Sequence, residues 1–246
     1  MALRPKLILT LVVGLLLTAC KTPETQTHQI WVLYDVTSST QDVLPSSDKV
    51  LGDISKIYPM QVGRESPYLN DGFEIGISFF DELSSGRITE KRLNPNRTSA
   101  AMGNPKKRAR EVKAFFTKVH EFISAKLSDT PTDRPHSKIY SKICRVLNKL
   151  AHSDADTKHL IIYTDLFENS ELANFYHEKT LRQAADNPSE FAKQYFEPHC
   201  KMADLDGITI HLYPYRTAGT DAAVNLAEKF WVSLLESGGA EVEVDP

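Results

Sequence analysis

The sequence predicts an α/β fold, a doubly wound and mostly parallel six-stranded sheet with helices on both faces. Three observations predict it. Apolar runs of strand length alternate with longer stretches of helical periodicity. The runs at 30–34 and 160–163 are apolar throughout, as in strands that are buried on both faces of a parallel sheet. Both runs lead into an aspartate, Asp35 directly and Asp165 after one threonine.

Six strands follow from side-chain alternation and from the turns between them. They are predicted at 29–35, 73–81, 87–93, 159–164, 207–213 and 240–244. In the second strand, apolar residues alternate with small or polar ones, and the turn at Ser84-Ser85-Gly86 brings the chain back as a polar strand. In the sixth strand, valines alternate with glutamates, which is typical of an exposed edge.

The polarity of the strands also predicts their order. Strands 1 and 4 are the most apolar and belong at the centre, whereas strands 3 and 6 are the most polar and belong at the edges. With right-handed crossovers the order is 3-2-1-4-5-6, with strand 3 as an antiparallel edge. Its switch point lies between strands 1 and 4, so Asp35 and Asp165 are expected in one crevice, where open α/β sheets bind ligands.

The remaining segments alternate between helices and loops. Helices are predicted at about 41–58, 106–127, 138–151, 170–203 (broken near Asn187-Pro188 and Pro198) and 220–236. The basic cluster at 106–110 is interpreted as a solvated helix face. The segments 94–105 and 128–137 are loops by composition and are long enough to form functional rims.

Two cysteines follow Cys20 in the chain. The crossovers from strand 3 to 4 and from strand 4 to 5 run in the same direction, so the segments of Cys144 and Cys200 are neighbours on one face. A disulfide needs Cα atoms within about 7 Å, which this arrangement permits, and an exported chain favours it. Two buried thiols are the alternative.

The amino-terminal residues predict export. Arg4 and Lys6 precede an apolar run at 7–17, about half the ~20 residues that would span a bilayer. Leu17-Thr18-Ala19-Cys20 resembles the bacterial lipobox, which implies cleavage before Cys20 and a diacylglycerol on its sulfur. We therefore expect a signal peptide at 1–19, the lipidated cysteine and a tether at 20–28, and a folded domain at 29–246. An ordinary secretory signal is the alternative.

Charge and local spacing exclude several classes of function. Without Arg4 and Lys6, 27 basic side chains face 32 acidic ones, a net charge of −5 that does not favour a nucleic-acid binder. The eight histidines show no zinc-binding spacing, and neither a nucleophile elbow nor a glycine-rich phosphate loop is found.

Lys21 stands where lipoproteins of the inner membrane carry aspartate, so the outer membrane is the expected location.

Asp35-Val36-Thr37-Ser38-Ser39 matches the pattern Asp-x-Ser/Thr-x-Ser. In this motif, and over most of the mature chain, the sequence resembles von Willebrand factor type A (vWA) domains, where the motif forms a metal-ion-dependent adhesion site (MIDAS). The resemblance implies direct or switchable ligands at Thr37, Ser39 and Ser137. It also implies that Asp35 and Asp165 hold metal-bound waters, or that one of them binds the metal directly.

The chemistry of these side chains agrees with the resemblance. Oxygen donors suit Mg²⁺, or Mn²⁺ or Ca²⁺, and Mg²⁺ keeps several waters that an acidic side chain of a protein partner can replace. Three positions depart from the family or leave an alternative open. His136 and Leu166 stand where the family often has glycine, and Thr132 is an alternative to Ser137.

The expected function is non-catalytic binding of a protein partner by a lipid-anchored envelope protein. One alternative is a Mg²⁺-dependent hydrolase or phosphoesterase that uses Asp35 and Asp165, and another is a metal-free scaffold in an envelope or secretion assembly. The two aspartates have the alternative role of helix N-caps.

Four residues near the site are interpreted as having no part in metal or partner binding. Glu168 and Asp42 are expected to be solvated carboxylates at the mouth of the crevice. Phe167, together with its neighbour Leu166, is expected to pack beneath the loop rather than to offer an apolar contact at the rim.

Overall fold

The computed structural model describes residues 25–37, 44–59, 66–80, 89–97, 103–129, 136–216 and 221–245. Several predictions fall outside these residues: the signal peptide at 1–19, Cys20, Ser39, Asp42, the turn at 84–86 and Thr132.

One six-stranded sheet runs through the described residues, in the order β3-β2-β1-β4-β5-β6. Its strands are β1 (Thr27–Asp35), β2 (Gly72–Phe80), β3 (Thr89–Leu93), β4 (Thr157–Thr164), β5 (Ile208–Pro214) and β6 (Glu241–Val244). β3 is antiparallel to β2, and every other neighbouring pair is parallel. The predicted fold class, strand order and antiparallel edge are confirmed, although β1 and β4 begin two residues before their predicted starts.

The helices are α1 (Ser47–Ile57), α2 (Pro105–Asp129), α3 (Ile139–Ala151), α4 (Glu178–Asp186), α5 (Pro188–Phe191) and α6 (Asp221–Ser237). A π-helical turn at Ala192–Phe196 continues α5. The helices α3 to α6 pack on one face of the sheet, and α1 and α2 pack on the other. The crossover directions predicted that the helices following strands 4 and 5 lie on the same face of the sheet, and they do.

The predicted helix at 170–203 is wrong in its first part. The chain after β4 forms an irregular loop up to α4, and this loop is held by isolated bridges from Asn169 to Ser137 and Asn174. Phe175 enters the core from this loop, and its backbone N–H donates to the carbonyl of Glu168 at 2.8 Å. The apolar residues of the segment are therefore buried without helical periodicity, because long-range backbone hydrogen bonds replace helical ones.

The basic cluster at 106–110 is only partly a solvated face. Arg108 is buried, and its guanidinium donates to the carbonyls of Leu69, Asp71 and Asn94 at 2.7–2.9 Å. These carbonyls lie before β2 and after β3, outside both strands. Arg108 thus links α2 to the segments that precede β2 and follow β3. The neighbouring lysines, Lys106 and Lys107, are exposed.

Cys144 in α3 and Cys200 after the π-helical turn are joined by a disulfide, with their Cα atoms 6.3 Å apart. Among the helices that the structure describes, none combines the length and the apolar character needed to cross a membrane.

Candidate functional site

Asp35 ends β1, and its carboxylate is fully buried. Oδ1 accepts hydrogen bonds from the backbone N–H of Thr37 at 3.1 Å and from its hydroxyl at 2.7 Å. Oδ2 accepts one from the hydroxyl of Thr164, the last residue of β4, at 2.7 Å. The carboxylate is therefore held between the carboxyl ends of the two central strands.

Asp165 follows β4 directly and is also buried. Its Oδ1 accepts a hydrogen bond from the backbone N–H of Phe167 at 3.0 Å, and its Oδ2 accepts one from the hydroxyl of Tyr176 at 3.1 Å. The nearest helices begin elsewhere in the chain, with Ser46 as the N-cap of α1 and His177 as that of α4. Neither aspartate caps a helix that the structure describes.

The two carboxylates influence each other electrostatically. Burial raises the pKa of Asp35, and the negative charge of Asp165 raises it further, to about 7. Hydrogen bonds from Thr164 and Thr37 oppose this shift without cancelling it. Two neighbouring buried carboxylates are costly to ionise together, and a divalent cation beside them would remove that cost.

Ser137 contributes a buried hydroxyl that lacks a hydrogen-bond partner in the described structure. Its backbone forms two hydrogen bonds with Asn169, at 3.2 and 3.0 Å, which tie its loop to the loop that carries Asp165. A buried hydroxyl without a partner costs about 1–3 kcal/mol. A metal ion at this edge would satisfy it.

The structure thus places four of the five predicted ligands at the carboxyl edge of the central strands. They are Asp35, Thr37, Ser137 and Asp165, and Ser39 lies outside the described residues. All of their donors are oxygens, which fits Mg²⁺, Mn²⁺ or Ca²⁺. No group of three or more histidine, cysteine, aspartate or glutamate side chains that could hold a metal occurs in the described ranges. A cation here would therefore depend on hydroxyls and water for its other ligands.

Glu168 is fully buried, so the prediction of a solvated carboxylate at this position is wrong. Its Oε2 accepts a hydrogen bond from the backbone N–H of Tyr140 at 2.7 Å, in the first turn of α3. Burial raises the pKa of Glu168 to about 7. A carboxylate is favourable at a helix N-terminus, which explains why a glutamate is buried here. Glu168 fixes the start of α3, and with it Ser137, against the loop after β4.

Leu166 adopts a left-handed backbone conformation, with φ of 68°. This conformation favours glycine, the residue that the vWA resemblance led us to expect, and it costs about 1–3 kcal/mol for other residues. Its N–H donates to the hydroxyl of Thr164 and its carbonyl accepts from the indole N–H of Trp231, both at 3.0 Å. The side chains of Leu166 and Phe167 are buried, as the prediction that they pack beneath the loop requires.

Two tyrosines at the site were missed by the sequence reasoning. Tyr176 is 52 % exposed, its ring stacks on Phe167 at a centroid distance of 5.1 Å, and its hydroxyl contacts Asp165. Tyr215 follows β5, and its buried hydroxyl has no partner among the described residues. Burial raises the pKa of Tyr215, and the charges of Asp35 and Asp165 add to that shift. Its place at the end of a strand beside β4 was the available signal.

No protein family profile matches the chain, and no curated protein matches it by sequence. Solved structures with some likeness include the conserved hypothetical protein BatB from Bacteroides thetaiotaomicron, at 14 % identity and a TM-score of 0.37 over 89 % of this chain and 90 % of that one. The PilB minor pilin from Streptococcus sanguinis has 10 % identity and a TM-score of 0.44. The matched region is 92 % of this chain and 58 % of the pilin chain.

A third similar structure is proximal thread matrix protein 1 from the mussel byssus, whose MIDAS motif is occupied by zinc. It has 10 % identity and a TM-score of 0.37, and the matched region is 90 % of this chain and 44 % of that one. Similarity at these levels transfers no residue role. The sheet itself agrees with the fold that the resemblance to vWA domains implied.

Proposed function

We propose that this protein is a lipid-anchored protein of the bacterial cell envelope that binds a protein partner through a divalent cation. The observation that carries the proposal is the pair of buried carboxylates, Asp35 and Asp165, at the switch point of the sheet. The unsatisfied hydroxyl of Ser137 supports it, because a cation at this edge would give that oxygen a partner.

Binding would be completed by a carboxylate of the partner. Mg²⁺ prefers six oxygen ligands at about 2.0–2.1 Å and keeps several waters when proteins bind it. Hydroxyl ligands from Thr37, Ser39 and Ser137 are neutral and leave positive charge on the ion. An acidic side chain of the partner would displace one of the waters. The exposed ring of Tyr176, stacked on Phe167, supplies an aromatic surface beside that point.

The first experiment is a calorimetric titration of Mg²⁺ and of Mn²⁺ into the purified protein. We expect binding at one site that is lost in Asp35→Ala and in Asp165→Ala. Glu171→Gln is the control, because it removes an exposed carboxylate from the same loop without touching the proposed ligands. Absence of binding in the wild type would contradict the proposal and favour the metal-free scaffold.

The second experiment concerns the partner and the class of function. A partner captured in the presence of Mg²⁺ should be released by EDTA and should not be captured by Asp35→Ala. A partner retained under both conditions would exclude a metal bridge. Turnover of a generic phosphoester with Mg²⁺, lost in Asp165→Ala, would instead establish the hydrolase alternative.

The anchor is tested separately at Cys20 and Lys21. We expect the wild type to fractionate with the outer membrane and its mature amino terminus to carry the mass of a diacylglycerol. Cys20→Ser should abolish that modification, and Lys21→Asp should keep it while moving the protein to the inner membrane. A mature protein that starts at another residue would show that the signal is an ordinary secretory one.

A further inference from the structure

The face of the sheet that carries α1 and α2 is not fully covered. Along β5, buried residues that face α3 to α6 alternate with half-buried polar ones on the opposite face. Beside them lies a groove of about 520 Å³ that α1 and β6 flank. Its polar lining includes Asp53, His159, Thr209, His211, Glu241 and Glu243.

A chain of hydrogen-bonded side chains crosses the sheet and ends in this groove. It runs from Asp71 through His28, Thr157, Tyr58, His159 and His211 to Glu243. The histidine nitrogens in it contact Asp71 at 3.0 Å, Thr157 at 2.9 Å, Tyr58 at 3.3 Å and Glu243 at 2.9 Å. Within the pair, Nδ1 of His159 lies 3.1 Å from Nε2 of His211.

This chain of contacts has too few protons when its histidines are neutral. It has six contacts, and both of its ends are carboxylates that only accept hydrogen bonds. Three neutral imidazoles and two hydroxyls supply five protons. Every arrangement of these five protons therefore leaves one contact in which two lone pairs face each other.

A cation between the two neighbouring imidazoles would satisfy the whole chain. Nδ1–H of His211 then donates to Glu243, and Nε2–H of His159 donates to the hydroxyl oxygen of Tyr58. The remaining hydroxyl protons and Nε2–H of His28 satisfy the other contacts. The lone pairs of His159 Nδ1 and His211 Nε2 are left for the cation.

A proton on His159 or on His211 is poorly suited to be that cation at neutral pH. Burial, together with the neighbouring His211, lowers the pKa of His159 to about 4. Burial also lowers the pKa of His211, although Glu243 opposes the shift. Neutral imidazole, the form that binds metals, is therefore the prevailing form of both side chains.

We propose that His159 and His211 bind a transition-metal dication of the zinc, copper and nickel class in this groove. Zinc–nitrogen bonds are about 2.0–2.1 Å, so two nitrogens on one ion lie roughly 3.0–3.4 Å apart, which includes the spacing observed here. Glu243 and Tyr58 hold the outward nitrogens, as partners of metal-ligating histidines commonly do. Water molecules would complete the shell, because two histidines alone do not, and no third histidine, cysteine or carboxylate joins them among the described residues.

Local sequence spacing did not reveal this pair. His159 and His211 are 52 residues apart and meet only because β4 and β5 are neighbours in the sheet. The site is independent of the proposed partner-binding site, since its donors are nitrogens and it lies on the sheet face rather than at the carboxyl edge.

The test is a calorimetric titration of Zn²⁺ into Asp35→Ala, a variant that lacks the proposed Mg²⁺ site and so leaves the groove to be measured alone. We expect one equivalent of Zn²⁺ to bind, and we expect His211→Ala and His159→Ala in the same background each to weaken binding at least 10-fold. His152→Ala is the matched control, because this exposed histidine lies outside the groove. Glu243→Gln should weaken binding by about 10-fold or more through the loss of its hold on His211.

Circular dichroism of each variant separates loss of binding from loss of folding. If His159→Ala does not fold, His211→Ala decides, because the side chain of His211 is 13 % exposed and lies at the edge of the groove. Zn²⁺ binding that is equally strong in His211→Ala, or absent from Asp35→Ala at millimolar concentration, would overturn the proposal.

Discussion

Replacing Asp35 with asparagine should stabilise the metal-free protein and at the same time remove its response to Mg²⁺. The reason is the environment of the carboxylate, which is fully buried beside Asp165. Asparagine has nearly the same shape and keeps an oxygen that can accept both hydrogen bonds from Thr37. It carries no charge, so neither burial nor Asp165 opposes it.

The magnitude follows from the pKa. Burial and Asp165 raise the pKa of Asp35 from 3.8 to about 7. At about 1.4 kcal/mol per pH unit this corresponds to roughly 4 kcal/mol above pH 7. The amide must reverse the hydrogen bond to Thr164, and an imperfect contact there costs about 1–3 kcal/mol. We therefore expect a net gain of about 1–3 kcal/mol in the free energy of unfolding.

The gain should depend on pH in a defined direction. The folded-state pKa lies above the unfolded value, so the carboxyl group is protonated in both states below about pH 3.8 and costs nothing there. The cost of ionisation grows as pH rises from 3.8 to about 7 and is constant above that. Asp35→Asn should thus be about 1–3 kcal/mol less stable than the wild type near pH 4, where only its imperfect contact to Thr164 counts, and should exceed the wild type most at pH 8.

Urea denaturation at pH 5 and pH 8, in EDTA and in Mg²⁺, measures both effects. Mg²⁺ at 100 times its dissociation constant should stabilise the wild type by about 2.7 kcal/mol and leave Asp35→Asn unchanged. The matched control is Asp53→Asn. Burial alone would raise the pKa of Asp53, but hydrogen bonds from Lys49, Tyr163 and Lys56 outweigh it and lower that pKa.

Asp53→Asn should therefore lose stability at pH 8 and keep the response to Mg²⁺. The reasoning is refuted if Asp35→Asn is less stable than the wild type in EDTA at pH 8 and still gains stability from Mg²⁺. Asp35 would then be an ordinary hydrogen-bond acceptor rather than a buried carboxylate whose charge a bound cation stabilises.

Three further predictions concern the surrounding structure. Glu168→Ala should lower the free energy of unfolding by about 1–2 kcal/mol and speed hydrogen exchange of the Tyr140 amide. Glu168→Gln should retain most of the protection of that amide. Equal exchange rates in the wild type and in Glu168→Ala would exclude the capping role. In EDTA, the low folded-state pKa of His159 should lower the free energy of unfolding as pH falls from about 6.5 to 4, by at most about 1.4 kcal/mol per pH unit. Urea denaturation of His159→Gln should show a smaller decrease over the same range. An identical pH dependence would contradict this assignment. Replacing Cys144 and Cys200 together by alanine should cost about 4 kcal/mol in denaturation experiments, since the disulfide closes a loop of 56 residues, and a loss below about 1 kcal/mol would argue against this estimate.

The sheet and the two aspartates were predictable because they depend on short-range patterns. Apolar runs identify the central strands, and alternation identifies the edges. Once the order of strands is known, the carboxyl ends of β1 and β4 must be neighbours, so Asp35 and Asp165 follow from topology alone. Ser137 was expected only through the resemblance to vWA domains, as a hydroxyl just before a helix.

The environment of the buried polar side chains could not be predicted in the same way. Glu168 and Arg108 belong to residue types that are usually exposed, and both are buried because backbone groups of distant loops need them. Tyr176 lies on a loop whose apolar residues mimic a helix in the sequence. For Glu168 and Arg108 the deciding hydrogen bonds join segments that are 28 to 39 residues apart in the chain, and no local pattern indicates them.

The sheet explains how the two proposed cation sites, which differ in their ligand chemistry, would fit into one small domain. Parallel neighbours bring residues that are distant in sequence to hydrogen-bond distance, as with Asp35 and Thr164 at 2.7 Å and the imidazoles of His159 and His211 at 3.1 Å. The ends of the central strands gather oxygen donors, which suit hard cations, and the uncovered face gathers nitrogens, which suit zinc or copper. At the two proposed sites the ligand types would separate the two ions. Excess Mg²⁺ has little affinity for an imidazole pair, so a partner contact through Mg²⁺ at one site would not empty the other.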